Sequence, residues 1–232
     1  TSALSIDSMS VAMTDRGRLG GLHFFNPVHR MELVEVIRGP HTDPAVVESL
    51  LGFVRRIGKR AILCKDSPGF LVNRILTPYL LKAVDLIDEG HKPEEVDAAA
   101  EAFGMQQGPV EVADTVGLDI CLEVGRVLAR ELDHIGEPPE RLVRKVEAGD
   151  LGKKTGKGFY VWEDGKPKKE DVETPASDLE DIQERLLAPL YEEVRRVLDE
   201  GIVASEDHLD LGAVFGSGFA PFRGGPGTTL RQ

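Results

Sequence analysis

The run Leu33-Val34-Glu35-Val36-Ile37 restricts the possible folds of this chain more than any other stretch. Its apolar side chains fall on both parities, so the strand it predicts has no face left for water. Strands covered on both faces belong to the parallel sheets of α/β domains. Leu22-His23-Phe24-Phe25 reads as a shorter aromatic strand before it, stopped by Asn26-Pro27, whose proline has no N–H to give a ladder. A helix is expected next, with Asp43 as its cap, Pro44 in its first turn, Val46, Val47, Leu50, Leu51 and Val54 on one stripe, and Gly58 at its end. Ala61-Ile62-Leu63-Cys64 supplies a third strand. Strand, helix and strand make one βαβ unit, so residues 1–65 read as the closing part of a doubly wound sheet.

From Phe70 onward helix signals replace strand signals. Pro93, Pro109 and Pro138 stand at helix starts, and Gly90, Gly104 and Gly149 stand just past helix ends. One helix is predicted from Val110 to about Leu132, with Val112, Val116, Ile120, Val124 and Val127 as its core stripe. Glu163 to Ser177, which includes Lys166-Pro167-Lys168-Lys169-Glu170-Asp171, reads as a linker or exposed loop. Beyond it the chain repeats itself. Thr77-Pro78-Tyr79-Leu80, Asp88-Glu89-Gly90, Asp97, Phe103-Gly104 and Pro109 return as Ala188-Pro189-Leu190-Tyr191, Asp199-Glu200-Gly201, Asp210, Phe215-Gly216 and Pro221, at offsets of 111 to 113 residues. That period is too long for a solenoid and fits one duplicated helical domain.

With 40 acidic against 28 basic residues and a net charge of -12, the chain is a poor partner for nucleic acid or an anionic membrane surface. No apolar run approaches the ~18 residues that span a bilayer, and no signal-peptide plan is visible. Cys64 and Cys121 lie far apart in apolar or mixed segments, which predicts two buried thiols in a reducing compartment rather than a disulfide framework. A soluble, cytoplasmic protein is expected. Thr1-Ser2-Ala3-Leu4-Ser5 opens without methionine and reads as the exit of a strand, so a further segment is expected upstream.

Two patterns look functional and are not expected to be. Gly152-Lys153-Lys154-Thr155 imitates the end of a phosphate-binding loop, yet Glu147 stands where the earlier glycine is needed. His29, His41, His91, His134 and His208 form no ligand spacing with either cysteine, so no metal is expected.

Glu35 is the exception inside its apolar strand. A buried carboxylate needs a cation, hydrogen bonds or a proton of its own, and His23, twelve residues earlier, is the natural partner. A carboxylate that holds one ring nitrogen fixes the tautomer and makes the imidazole a better base, as general base catalysis requires. The plainer reading is that Glu35 bonds backbone amides while His23 packs with Phe24 and Phe25 as core.

Taken together, His23-Phe24-Phe25-Asn26-Pro27-Val28 followed by Leu33-Val34-Glu35-Val36-Ile37 closely resembles a signature of the 3-hydroxyacyl-CoA dehydrogenase family. Asp66-Ser67-Pro68-Gly69-Phe70-Leu71-Val72-Asn73-Arg74 resembles its second signature, and Leu151-Gly152-Lys153-Lys154-Thr155-Gly156-Lys157-Gly158-Phe159-Tyr160 its third. The resemblance implies an α/β remnant, the C-terminal part of a Rossmann-like NAD-binding domain, over residues 1–65. It implies a mainly α-helical dehydrogenase C-terminal domain over 66–163, a charged linker over 164–177 and a second helical copy over 178–232, the arrangement of multifunctional fatty-acid oxidation subunits. His23 would be the base for the substrate's 3-hydroxyl and Glu35 its electrostatic partner. Asn73 would bond the substrate oxygen, Ser2 would approach both substrate and cofactor, and Asn26 would contact the cofactor. NAD, an acyl-CoA substrate, and a homo-oligomer or a thiolase subunit as partner follow from the same likeness. The family's glycine-rich dinucleotide loop is expected upstream of Thr1, so this chain alone is expected to bind NAD weakly or not at all and to self-associate through its open sheet edge. The rival expectation is a helical assembly and substrate-binding module without turnover. One departure from the resemblance is visible: relatives often carry an aromatic residue near the position of Thr229, so a substrate contact through that aromatic is not expected here.

Overall fold

Backbone pairing places the three expected strands in one sheet. In the computed structural model, which describes residues 4–231, a short helix α1 (Ile6–Ser10) leads to β1 (Gly21–Phe24), which pairs antiparallel with β2 (Leu33–Arg38). Helix α2 (Pro44–Arg56) returns the chain to β3 (Arg60–Lys65), parallel to β2, which completes the βαβ unit. Asp43 occupies the cap position of α2 without a side-chain cap bond, and its backbone N–H donates to Gly17 O instead. The rest is mostly helical: α3 (Val72–Asp88), α4 (Pro93–Phe103), α5 (Pro109–Val116), α6 (Leu118–Glu131) and α7 (Glu140–Glu147) come first. A hairpin of β4 (Val161–Glu163) and β5 (Lys166–Lys168) follows, then α8 (Ala176–Asp199), α9 (Glu206–Ser217) and the short α10 (Pro226–Thr229). The chain divides into two compact units, one made of Thr1–Arg74 with Glu193–Gln232 and the other of Ile75–Glu192.

In the first unit, alternation along β2 sorts its residues between two cores. Val34 and Val36 pack with Val54 of α2, joined by Leu22, Phe24, Leu50, Leu51, Ala61 and Leu63. Leu33, Glu35 and Ile37 point the other way and are equally buried. Helix α9 packs on that second face through two glycines. A Cβ on Gly212 would lie 2.4 Å from Leu71 Cδ2, and one on Gly216 would lie 2.6 Å from Val72 Cγ2 and 3.0 Å from Leu33 Cδ2. These glycines allow close approach, since a side chain at either would press first on Leu71 or Val72 at the start of α3 and then on the sheet.

Two readings of the second unit need correction. The single helix expected over 110–132 is broken at Gly117, whose φ of 109° and ψ of 124° are open to glycine and costly for other residues. The break resets the helical face, so Val116 and Ile120 of the expected core stripe lie exposed while Ala113, Asp114, Cys121 and Leu122 are buried. The charged stretch is not a free loop at its start. Lys166–Lys168 pairs with Val161–Glu163, and Lys169 Nζ lies 2.7 Å from Glu111, 3.1 Å from Asp97 and 3.5 Å from Glu101.

The glycine-lysine string that imitates a phosphate loop wraps a buried acid. Asp114 accepts the N–H groups of Phe159 and Tyr160 and the indole N–H of Trp162, at 2.9, 3.0 and 2.9 Å. A Cβ on Gly158 would meet Asp114 Oδ1 at 2.1 Å and one on Gly152 would meet Asp114 O at 2.2 Å, so these two glycines serve packing. Its lysines lie outside this: Lys154 pairs with Asp119, Lys157 with Asp150, and Lys153 lies over the Trp162 ring.

Asp97 is the second buried acid of this unit. It accepts the N–H groups of Val110 and Glu111 and the Tyr160 hydroxyl, yet burial outweighs these bonds and Lys169 and pushes its pKa up to about 6. The folded chain therefore holds this proton more tightly than the unfolded chain, whose carboxyl titrates near 3.8. The stabilisation is complete below pH 3.8 and lost as the pH rises through about 6. Against Asp97→Asn, which does not titrate, the wild type's advantage in unfolding free energy should shrink by about 2–3 kcal/mol between pH 4 and pH 7. Denaturant titrations across that range measure it. An advantage that grows with pH would mean that the Lys169 pair outweighs burial.

Candidate active site

His23 and Glu35 are register partners across β1 and β2, so strand alternation turns both toward the face that α9 covers. His23 Nδ1 lies 2.5 Å from Glu35 Oε2, with the carboxylate fully buried and the histidine side chain 7% exposed. The other carboxylate oxygen, Oε1, accepts the N–H groups of Leu71 and Val72 at 3.0 and 2.9 Å. These amides stand at the start of α3, where N–H groups have no carbonyl of their own helix to bond and where the helix dipole favours an anion. A turn aims them at Glu35, with both Gly69 (φ 72°) and Phe70 (φ 53°) in left-handed backbone. That conformation is uncommon for a residue with a side chain, and here the Phe70 ring is buried with its centroid 5.6 Å from that of His23. The Phe25 ring lies at 4.6 Å on the same imidazole.

The two sequence readings of Glu35 thus hold together: it bonds amides and it holds the histidine. Where Glu35 accepts at Oε2 as it does at Oε1, Nδ1 carries the ring proton and Nε2 is left as the acceptor nitrogen of the imidazole. Cys64 Sγ lies 4.0 Å from Oε1, and burial first and the charge of Glu35 second push its thiol well up, so it stays protonated and serves as apolar packing.

The remaining predicted residues fall as follows. Asn73 is the second residue of α3, next to Val72, and half-buried. Asn26 is exposed just past β1, on the N-terminal side of a cis bond to Pro27. Ser2 lies outside the described residues. Sequence reasoning missed the Leu71 and Val72 amides, which are backbone groups and leave no trace in residue type. It also missed Arg74, which is 1% exposed. Its Nε donates to Glu193 at 2.7 Å, Nη1 to Ser67 and Glu200 at 2.8 and 2.7 Å, and Nη2 to Glu200 at 2.6 Å. A charge inside Phe70-Leu71-Val72-Asn73-Arg74-Ile75-Leu76 is the same kind of signal that marks Glu35.

A dinucleotide places its pyrophosphate on a glycine-rich strand-to-helix turn. The turn from β2 to α2 closes on itself instead: the Gly39 N–H donates to Thr42 Oγ1, whose hydroxyl donates to Leu19 O. The carboxamide of Asn26, exposed just past β1, is a group of the kind that suits the redox end of such a cofactor.

The model of the 3-hydroxyacyl-CoA dehydrogenase NAD binding domain matches residues 1–67, and that of the family's C-terminal domain matches residues 69–162. The fatty acid oxidation complex subunit alpha of Shewanella amazonensis is 37% identical over 97% of this chain and 34% of its own length. The chain thus spans about a third of that relative. The (S)-3-hydroxybutyryl-CoA dehydrogenase PaaH1 from Ralstonia eutropha is 39% identical, with a TM-score of 0.68 over 70% of this chain and 59% of that one. The 3-hydroxybutyryl-CoA dehydrogenase from Escherichia coli K12, at 24% identity, shares the fold with a TM-score of 0.80 over 95% of this chain and 65% of its own.

Proposed function

Because the chain belongs to the 3-hydroxyacyl-CoA dehydrogenase family, we propose that it carries the base of an NAD-dependent oxidation of (3S)-3-hydroxyacyl-CoA to 3-oxoacyl-CoA within a larger enzyme of fatty-acid β-oxidation. The observation that carries this reading is the 2.5 Å contact of His23 Nδ1 with a buried carboxylate whose other oxygen is taken by two helix amides. With Nδ1 committed to Glu35, Nε2 takes the proton of the substrate's 3-hydroxyl as the C3–H bond breaks and the carbonyl forms. NAD, when bound, supplies the acceptor for the hydride. The imidazolium that results is stabilised in place by Glu35. The Asn73 amide donates to the substrate oxygen while its bond order changes, and Ser2 and Asn26 would hold the cofactor's redox end. Phe25 and Phe70 pack on the imidazole and limit the water that reaches it.

The domain plan is part of the proposal: the end of a Rossmann-like NAD-binding domain over 1–65, one helical copy over 66–163, a linker over 164–177 and a second copy over 178–232. The duplication is supported by a shared local device. Asp97 in α4 accepts the N–H groups of Val110 and Glu111 at the start of α5, and Asp210 in α9 accepts those of Gly227 and Thr228 at the start of α10. In each, a glycine before the opening proline abuts that carboxylate: a Cβ on Gly108 would lie 2.2 Å from Asp97 Cγ, and one on Gly225 would lie 2.3 Å from Asp210 Cγ. Pro226, not Pro221, is then the counterpart of Pro109, because a 3-10 turn, Pro221–Arg223, intervenes. No helix among the described residues is long and apolar enough to cross a membrane. We place the enzyme in the cytoplasm, acting on acyl-CoA as a homo-oligomer or beside a thiolase subunit.

The test is acetoacetyl-CoA-dependent NADH oxidation, measured on this chain alone and on protein that also carries a complete dinucleotide-binding segment ahead of it. Turnover is expected only in the second. Its absence from both would sink the dehydrogenase reading and favour a binding module.

A further inference from the structure

We propose that Arg74 is a positioning residue: by gripping Glu193 and Glu200 it fixes the turn that offers two amides to Glu35 and that carries Asn73. The inference rests on the dehydrogenase reading for its kinetic consequence but on geometry for its structural one. Arg74 and Glu193 are 1% and 2% exposed in their side chains. Burying an ion pair costs desolvation that an apolar pair of the same shape would avoid, so stability alone is a poor reason for it. What a guanidinium adds is a planar fork with donors in fixed directions. Here the fork is filled on three sides: Nε bonds Glu193, both terminal nitrogens clasp Glu200, and Nη1 reaches back to Ser67 Oγ. Ser67 and Arg74 bracket the left-handed pair Gly69 and Phe70, the Leu71 and Val72 amides that hold Glu35, and Asn73. Inside the bracket the Phe70 N–H donates to Ser67 O and the Arg74 N–H to Gly69 O. The turn is thereby closed by Arg74, whose Nη1 holds the Ser67 end, and Arg74 is itself held by Glu193 and Glu200, more than a hundred residues away in sequence. Those residues act on the proton-transfer site without touching it.

Two readouts separate this role from bulk stability. In amide hydrogen exchange on this chain, Arg74→Lys and Glu200→Gln should speed exchange at Leu71 and Val72 by about tenfold or more and leave β2 at its wild-type rate. In the enzyme with its dinucleotide-binding segment, both variants should lower kcat by about tenfold to a hundredfold with KM changed less than about threefold, since misplacing reacting groups costs turnover rather than binding. Arg74→Lys, which keeps the charge, should retain more activity than Arg74→Met. Glu200 is 45% exposed in its side chain, so Glu200→Gln remains informative if the Arg74 variants do not fold. Wild-type exchange at Leu71 and Val72, or wild-type kcat, overturns the proposal. His23→Ala is assayed in parallel. If that variant keeps full activity, the dehydrogenase reading fails while the exchange result still decides whether Arg74 holds the turn.

Discussion

Replacing His23 by alanine should lower kcat/KM of the assembled enzyme by about 10⁴-fold, the upper end of what a positioned general base contributes. The loss should fall mainly on kcat, because in the proposed reaction the imidazole gains its proton only as the hydroxyl oxygen becomes a carbonyl, an interaction of the transition state rather than of the bound substrate. The variant should still fold. Glu35 keeps its two amides from Leu71 and Val72, and the unpaired Oε2 together with the lost ring packing costs about 1–3 kcal/mol. Steady-state kinetics with thermal unfolding on the same samples measures both. Full activity in a folded His23→Ala protein would remove the basis for the mechanism.

Glu35→Gln should cost about 10³-fold in kcat with little change in stability, because what it alters is the tautomer of its partner. The glutamine oxygen can still accept the Leu71 and Val72 amides, which leaves only the NH2 group to face His23 Nδ1. That group is a donor, so Nδ1 must become the acceptor and the ring proton must move to Nε2, the atom that takes the substrate's proton in the proposed reaction. The site would be intact in outline and occupied by the wrong hydrogen. Glu35→Ala is the contrasting case. Two buried amides and a histidine lose their acceptor at once, and a loss of about 3–5 kcal/mol is expected, at the level of breaking a buried ion pair. If Glu35→Gln and Glu35→Ala showed the same modest kinetic defect, the carboxylate would be a packing group and not an orienter.

The parts of this fold that follow from side-chain periodicity were legible in the chain. Both-sided burial of β2, the turn to α2 at Pro44 and the pairing of His23 with Glu35 all follow from which residues are apolar and which are not. What was not legible depends on backbone. Gly117 breaks a run whose apolar spacing is continuous through it, since a glycine is tolerated in a helix as readily as it ends one. The amides that complete the Glu35 site are the same in every residue but proline. The charged stretch after Glu163 has little apolar content, yet Lys169 is drawn into a buried acid's surroundings by charge alone, which hydropathy does not register. Arg74 lay in plain view within an apolar run, but its partners are remote in sequence and only the fold brings Glu193 and Glu200 to it.

The pairing of His23 opposite Glu35 has a consequence for how such a chain tolerates change. Successive residues of a strand alternate sides and advance about 3.3 Å each. A slip of one position between β1 and β2 would send the carboxylate into the aliphatic layer under α2, and a slip of two would return it to the right side too far along to reach the ring. The peptide connecting these strands can therefore change in length past Phe25 and Asn26, within 27–32, provided the register survives. An insertion within either strand should abolish the proposed activity even where it leaves the protein folded.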